Sequence, residues 1–262
     1  MIQIHTEKCI GCGLCAKDCI AENIVIRDNK AQAYFDCFLC GHCAAVCPQG
    51  AITIPEYDMD DVQDYIPENF ALNPEKLLSA IKFRRSIRDY TNAPISEKEQ
   101  QALFQAGRYT ATAKNTQGCR FIFIQDRLPE FKELIWNGIG AKLDAPGETS
   151  ELPEDFRRFY RTHRRHPEKD YLFRNAPAVM VICSSNPVDA ALAAQNMELM
   201  GVSMGLGALY NGYLTHAIRS LPGIRTWLDT EDKTPQVTML LGRPAITYAR
   251  TAPRRQADII IR

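Results

Sequence analysis

Isoleucines alternate with their neighbours at Ile24 and Ile26 and again, 28 residues on, at Ile52 and Ile54, the period-two signature of short strands. The same shift lays Cys9, Cys12, Cys15 and Cys19 on Cys37, Cys40, Cys43 and Cys47, Gly13 on Gly41 and Ala16 on Ala44. Residues 1–54 therefore read as a duplicated unit, each half a cysteine loop, a short turn of helix and a β-type alternation.

Beyond the repeat the pattern changes. Residues 55–75 hold seven acidic side chains and no Lys or Arg, with Pro55, Pro67 and Pro74 set against any regular element, so 55–74 reads as an acidic linker. Asn73-Pro74 then supplies an N-cap and a first helical position, and Leu77, Leu78 and Ile81 share one face of a helix reaching Arg84. The capping-box pattern Ser96-x-x-Glu99 opens a second helix that stops near Gly107. Three apolar runs, Phe121–Ile124, Ala178–Cys183 and Val237–Leu241, have strand length and composition. Val188–Leu214, long and rich in Ala, Met and Leu, predicts buried helix throughout. Met197, Met200 and Met204 within it read as core filling. The fold class expected is α+β, with a small cysteine domain over 1–54 and a larger α+β domain over 75–262.

At 262 residues, 45% hydrophobic and 24% charged, the chain can bury one full core plus a small module. Lys+Arg equals Asp+Glu at 31 each, which gives no hint of nucleic acid. The N-terminus has no apolar targeting core, and no stretch nears the roughly 18 uncharged apolar residues of a membrane span. A soluble, cytoplasmic protein without a membrane partner is the expectation. Eight of the ten cysteines crowd into residues 9–47, and without a leader peptide metal binding accounts for them better than disulfides do. Cys119 and Cys183 stand apart and read as core thiols.

The run C-x2-C-x2-C-x3-C puts three thiolates on one loop and points the fourth away, so one run does not easily close its own 4Fe-4S cluster. Two runs solve this by exchange: Cys9, Cys12, Cys15 and Cys47 around one cluster, Cys37, Cys40, Cys43 and Cys19 around the other. Thiolates alone, without histidine at ligand spacing, fit iron-sulfur chemistry; a pair of structural zinc sites is the alternative. His42, between ligands, reads as a solvated loop residue that tunes a cluster. The segment resembles the bacterial two-cluster ferredoxins over its whole length, with Ile20 where that pattern has proline and Pro48 keeping it.

In Phe-Arg-Arg-Ser-Ile-Arg-Asp-Tyr, Arg84, Arg85 and Arg88 place three guanidinium groups within five residues beside Ser86, a crowding that a phosphate would relieve. A solvated helix end is the other account. Thr112–Gln117 forms a polar loop before the strand Phe121–Ile124, Gly205–Tyr210 lies at the end of the long helical run, and Leu241-Gly242-Arg243-Pro244 closes the last strand. At these points the sequence resembles the nitroreductase family of FMN enzymes over essentially all of 75–262. The resemblance implies a central, mostly antiparallel sheet wrapped by helices and a homodimer with FMN at its interface. It also implies FMN contacts from Arg84, Arg85, Ser86, Arg88, Asn115, Leu209, Tyr210, Gly242 and Arg243, with Arg250 and Arg254 of the basic tail as further candidates. Ala111 and Ala113 stand where Ser and Pro are common, and Gly118 where proline often follows Gln. Gly201, Gly205 and Gly207 make no G-x-G-x-x-G, so no Rossmann dinucleotide site is expected.

Residues 154–174 carry seven basic side chains against four acidic; a solvated helix face accounts for them, or a basic lip that admits anionic substrates. His163 and His166 lie inside it without a facing partner in sequence. The function expected is an oxidoreductase in which two 4Fe-4S clusters charge FMN one electron at a time, and FMN reduces a small organic acceptor of nitroaromatic, quinone or enone type. This resembles the ferredoxin–nitroreductase fusions of anaerobes, with a ferredoxin or another electron donor supplying the clusters. No nucleophile or acid–base pair is visible apart from the flavin. The alternatives are an NAD(P)H-dependent nitroreductase and a non-catalytic electron relay.

Overall fold

A computed structural model describes residues 1–35, 37–144 and 152–262. The chain divides into two compact units, one of Met1–Ala71 with Thr112–Thr116, the other of Leu72–Ala111 with Gln117–Arg262.

The first unit carries the repeat in its backbone. β1 (Gln3–Ile4), α1 (Leu14–Asp18), β2 (Ile24–Arg27), β3 (Lys30–Ala33), α2 (His42–Ala45) and β4 (Ile52–Thr53) follow in order. β1 pairs with β4 and β2 with β3, both antiparallel. Gly13 and Gly41 open α1 and α2 at φ 79° and 78°, a left-handed conformation that glycine adopts without a Cβ penalty. Ile2, Ile24, Ile52 and Ile54 form its small core with Cys15 and Cys43. The region read as a linker is partly ordered: a 3-10 turn spans Met59–Asp61, and α3 (Pro67–Phe70) starts on Pro67. Proline there opens a helix instead of breaking one, because N1 needs no amide hydrogen.

The second unit begins with α4 (Pro74–Phe83), whose cap Asn73 accepts the Lys76 amide at 2.8 Å, and α5 (Glu97–Arg108), where the Ser96–Glu99 capping box forms. β5 (Arg120–Ile124), α6 (Leu128–Asp144), α7 (Asp155–Arg165) and β6 (Ala178–Cys183) follow, then α8 (Pro187–Ser203), β7 (Gly207–Tyr210), α9 (Gly212–Ser220), α10 (Ile224–Trp227) and β8 (Pro235–Gly242). The sheet runs β5-β6-β8-β7, antiparallel throughout. Every residue of β6 is buried, and its side chains alternate between two cores. Val179, Val181 and Cys183 pack with Phe131, Ile135, Phe156 and Leu214 of α6, α7 and α9. Ala178, Met180 and Ile182 pack with Leu103, Ala190, Ala194 and Met197 of α5 and α8. Helices therefore cover both faces of the sheet, as the sequence pattern predicts.

The continuous helix expected over Val188–Leu214 is overturned. α8 ends in a Schellman motif, with Leu206 N–H donating to Gly201 at 2.8 Å, Gly205 N–H to Val202 at 3.1 Å, and Gly205 at φ 75°. Residues 207–210 then turn into sheet, and Asn211 caps α9 by accepting the Leu214 amide at 3.0 Å. Met197 is core, but Met200 faces outward and is not the core filler expected. Among the described residues no helix is long and apolar enough to cross a membrane.

Candidate functional site

The four-and-four crossing of cysteines is present in the first unit. One pocket is lined by Cys9, Cys12, Cys15 and Cys47 with Ile26 and Ile52. A second is lined by Cys19, Cys37, Cys40 and Cys43 with Ile24 and Phe38. Sulfurs distributed around the walls of a shared pocket suit a polyatomic cluster, whereas zinc draws its ligands to one point. Among the described residues no group of three or more His, Cys, Asp or Glu is placed to hold a single metal ion.

Backbone amides face the sulfurs. Asn23 N–H donates to Cys19 Sγ at 3.4 Å and Ala51 N–H to Cys47 Sγ at 3.3 Å, the same bond in both halves of the repeat. Ala31 N–H donates to Cys9 Sγ at 3.3 Å and, with the Gly11 amide, holds that thiol below its ordinary value. Burial pushes Cys15 up and Cys43 up to about 11; a bound metal would deprotonate such thiols outright, so loading releases protons. Asn23, buried and not singled out by the sequence, accepts from the Tyr34 and Phe35 amides and donates to the Phe35 carbonyl, pinning the chain just before Cys37. His42 lines the second cavity with its ring exposed and its Nδ1 3.0 Å from Asp18 Oδ2.

In the second unit, the arginine-rich segment lies along β7. Ser86 and Ala208 form a parallel bridge, Ile87 N–H donates to Ala208 at 3.0 Å, and Thr91 N–H donates to the Arg243 carbonyl at 2.9 Å. Two glycines permit this approach: a Cβ on Gly207 would meet Ile87 Cγ1 at 2.2 Å, and one on Gly242 would meet Pro177 Cδ at 2.5 Å and Tyr90 Cδ1 at 2.9 Å. Arg84, Arg85, Ser86, Arg88, Leu209, Tyr210, Gly242 and Arg243 thus share one stretch of structure, although they are far apart in sequence. Arg254 lies in the exposed C-terminal segment, which has no regular secondary structure. Asn115 belongs to the first unit, where its Nδ2 donates to the Leu39 carbonyl at 3.0 Å.

The crowding of guanidinium groups is relieved in part by carboxylates of the chain itself. Arg84 donates to Glu198 Oε1 at 3.3 Å and Arg243 pairs with Glu99, while Arg85 stands over the Tyr248 ring, 5.1 Å from its centre. Arg88 and Ser86 are exposed. Glu198, 3% exposed, also accepts from Gln195 Nε2 at 3.1 Å and the Tyr210 hydroxyl at 3.3 Å. Three donors satisfy a charge that burial would otherwise penalise. Burial first, then the Glu198 charge, pushes the Tyr210 phenol up. Glu198 went unremarked in sequence, although it is the one charged residue between Ala190 and Ile218.

The basic stretch folds as α7 on buried Phe156 and Phe159, with Arg158 paired to Asp155 and its other arginines turned to solvent, the solvated helix face. His163 stacks on Trp136 with centres 4.1 Å apart, and burial lowers its pKa. His166 sits beside Glu168 at 3.3 Å. Burial raises the thiol pKa of both Cys119 and Cys183.

Residues 81–243 match the family model described as the nitroreductase family, and residues 8–52 match a 4Fe-4S dicluster domain. The first match covers more than half of the chain, which belongs to the nitroreductase family and carries a ferredoxin-type domain ahead of it. Over 174 residues the chain is 28% identical to an NADPH-dependent oxidoreductase of Staphylococcus aureus, covering 65% of this chain and 66% of the relative. Over 173 residues it is 27% identical to the FMN reductase (NADPH) of Bacillus subtilis, covering 64% and 66%. The matched part is thus just under two thirds of these relatives' length. A nitroreductase with bound FMN from Bacteroides fragilis superposes with a TM-score of 0.58 at 21% identity, covering 71% of this chain and 99% of that one. Another with bound FMN, from Desulfitobacterium hafniense, gives 0.56 at 22%, covering 73% and 100%. At these identities what is shared is the fold.

Proposed function

We propose that the chain is an iron-sulfur flavoprotein oxidoreductase whose two clusters feed FMN, and that FMN reduces a small organic acceptor of nitroaromatic, quinone or enone type. The observation that carries the reading is the pair of cavities, each lined by three cysteines of one loop and the fourth of the other, joined in one chain to a nitroreductase-family domain. Cys9, Cys12, Cys15 and Cys47 hold one 4Fe-4S cluster, and Cys37, Cys40, Cys43 and Cys19 the other. FMN, when bound, supplies the switch from single-electron to hydride chemistry.

Arg88 and Ser86 are the exposed groups that receive the FMN phosphate, with Arg85 beside them. Arg84 orients the segment from its bond to Glu198, and Leu209, Tyr210 and Gly242 line the cofactor. Arg243 and Arg254 add positive charge, and Asn115 contacts the flavin ring. A homodimer with FMN at its interface is part of this reading, and membership of the nitroreductase family supports it. Reduction by NADPH is the second reading, favoured by the names of the two bacterial relatives.

Anaerobically purified protein is expected to hold about eight irons, about eight sulfides and about one FMN per chain, and to reduce at least one class of acceptor when given a low-potential one-electron donor. Zinc in place of iron, or no flavin after incubation with FMN, would overturn the reading. Reduction of every acceptor class by NADPH at full rate after cluster removal would put the second reading first.

A further inference from the structure

The two halves of the first unit are copies in sequence, yet only the first half follows its cysteine loop with a hairpin. Asp28 and Asn29, at φ 46° and 57°, make the two-residue turn that joins β2 to β3, and such turns need both central residues left-handed. The hairpin tip lies on the first cysteine loop, where a Cβ on Gly11 would meet the Asn29 backbone oxygen at 2.3 Å. It brings two donors to one ligand residue. Lys30 Nζ donates to the Cys9 carbonyl at 2.6 Å, and Ala31 N–H donates to Cys9 Sγ at 3.3 Å. Twenty-eight residues on, Asp58 and Met59 stand at the places of Lys30 and Ala31. Asp58 turns its carboxylate to the Asp60 amide at 3.0 Å, and Met59 Sδ accepts from the Ile54 amide at 3.5 Å. The amide bonds to Cys19 and Cys47 repeat between the halves, as do those of Ala16 to Cys15 and Ala44 to Cys43. Among the described residues the Ala31 bond to Cys9 has no counterpart at Cys37. Exposure does not separate the two sets, since Cys12 and Cys40 are both exposed and Cys15 and Cys43 both buried. His42 lines the second pocket, but Asp18 faces its Nδ1 at 3.0 Å, so a positive charge there is already matched.

We infer that Lys30 and the Ala31 amide make the cluster of Cys9, Cys12, Cys15 and Cys47 the easier of the two to reduce, so that the first electron to enter this unit settles there. The inference rests on the two ligand sets of the proposed function. Reduction adds one negative charge to a cluster. Hydrogen bonds to the sulfurs and net charge set the potential at which that charge is accepted, and the hairpin supplies one of each to the first set alone. A low-potential one-electron donor provides the electron, and no covalent bond of the protein forms or breaks. Lys30 and Ala31 are positioning residues, since they act through Cys9 and touch no acceptor.

The test is a redox titration of anaerobically purified full-length protein, followed by electron paramagnetic resonance. Cys40→Ser leaves the first cluster to be measured alone and Cys12→Ser the second, each free of repulsion between two added electrons. The first is expected to have the higher midpoint potential. Lys30→Met should make electron uptake by that cluster roughly tenfold less favourable, the scale of one charge-assisted hydrogen bond, or about 59 mV for one electron. The midpoint of the other cluster should stay in place, and Lys30→Arg, which keeps the charge, should hold the wild-type values. Where a cysteine variant fails to load, the wild type decides: the signal that Lys30→Met moves must be the one that appears first on reduction. Where Lys30→Met fails to load, the two cysteine variants decide, because both leave the hairpin intact. Equal midpoints, a higher midpoint at the second cluster, or a Lys30→Met shift shared by both clusters or seen in neither overturns the inference. In each of these cases iron-loaded protein with two cluster signals keeps the functional reading, whereas protein that takes up zinc and no iron fails the reading and the inference together.

Discussion

Arg88 is exposed beside arginines that already have partners, which makes it the test residue for anion binding in the basic segment. A charge-assisted bond is worth roughly 1.5–3 kcal/mol, so Arg88→Ala should weaken FMN about 10- to 100-fold in a fluorescence titration of apoprotein. Unchanged affinity would return the segment to the solvated-helix account. Glu198 makes a different kind of demand. Glu198→Ala strands Arg84 and Tyr210 together; because Arg84 keeps some access to water, the expected loss is about 1–3 kcal/mol in urea unfolding, with Glu198→Gln losing less. His163 supplies a pH dependence whose sign is fixed by its burial against Trp136. Its folded pKa lies below the ordinary 6.5, Asp170 opposing in part, so the folded state binds fewer protons and stability falls as pH drops through that value, levelling off below the folded pKa. His163→Phe should flatten this part of a stability–pH curve. Single residues were legible in sequence where chemistry repeats, as with the eight cysteines. Glu198 was not, since only the fold brings residue 84 to residue 198.

Elements were legible wherever a local signal fixes an end. The caps at Asn73 and Ser96 and the strand Ala178–Cys183 form where the pattern puts them. The break after Ser203 was missed because composition favours helix on both sides and the stop depends on one glycine. Gly205 at φ 75° ends α8, and Gly207 then lets Ile87 pack against β7. Gly207→Ala should cost about 1–3 kcal/mol through overpacking. It should also weaken FMN, because the arginine segment must move off the strand; a variant destabilised in denaturant yet with wild-type flavin affinity would separate β7 from the site. The cluster element has its own signature. Cys47→Ser should damage the cluster of Cys9, Cys12 and Cys15 and spare that of Cys37, Cys40 and Cys43, as read by electron paramagnetic resonance. The reverse loss would contradict the crossing.

For the chain as a whole, the neutral total conceals an asymmetry. Residues 1–71 hold eleven acidic side chains against four basic, and residues 72–262 make up the difference with the opposite sign. A negatively charged cluster-bearing unit attracts a basic surface on a donor and repels anions of its own sign, most strongly at low ionic strength. NADPH is such an anion, and the opposite charge of residues 72–262 would attract it there instead. The two routes of entry therefore respond differently to the same two changes. Oxidised protein is mixed anaerobically with NADPH, with NADH or with a reduced one-electron donor protein, and flavin bleaching is followed over a range of salt. Entry through the clusters is expected: bleaching by the donor protein slows as salt rises if its docking face is basic, and it is abolished in Cys15→Ser/Cys43→Ser, while nicotinamides bleach the flavin more slowly than turnover. Should NADPH reduce the flavin within the turnover time, and equally fast in the double variant, the clusters are not the inlet and the chain works as its NADPH-dependent relatives are named to do.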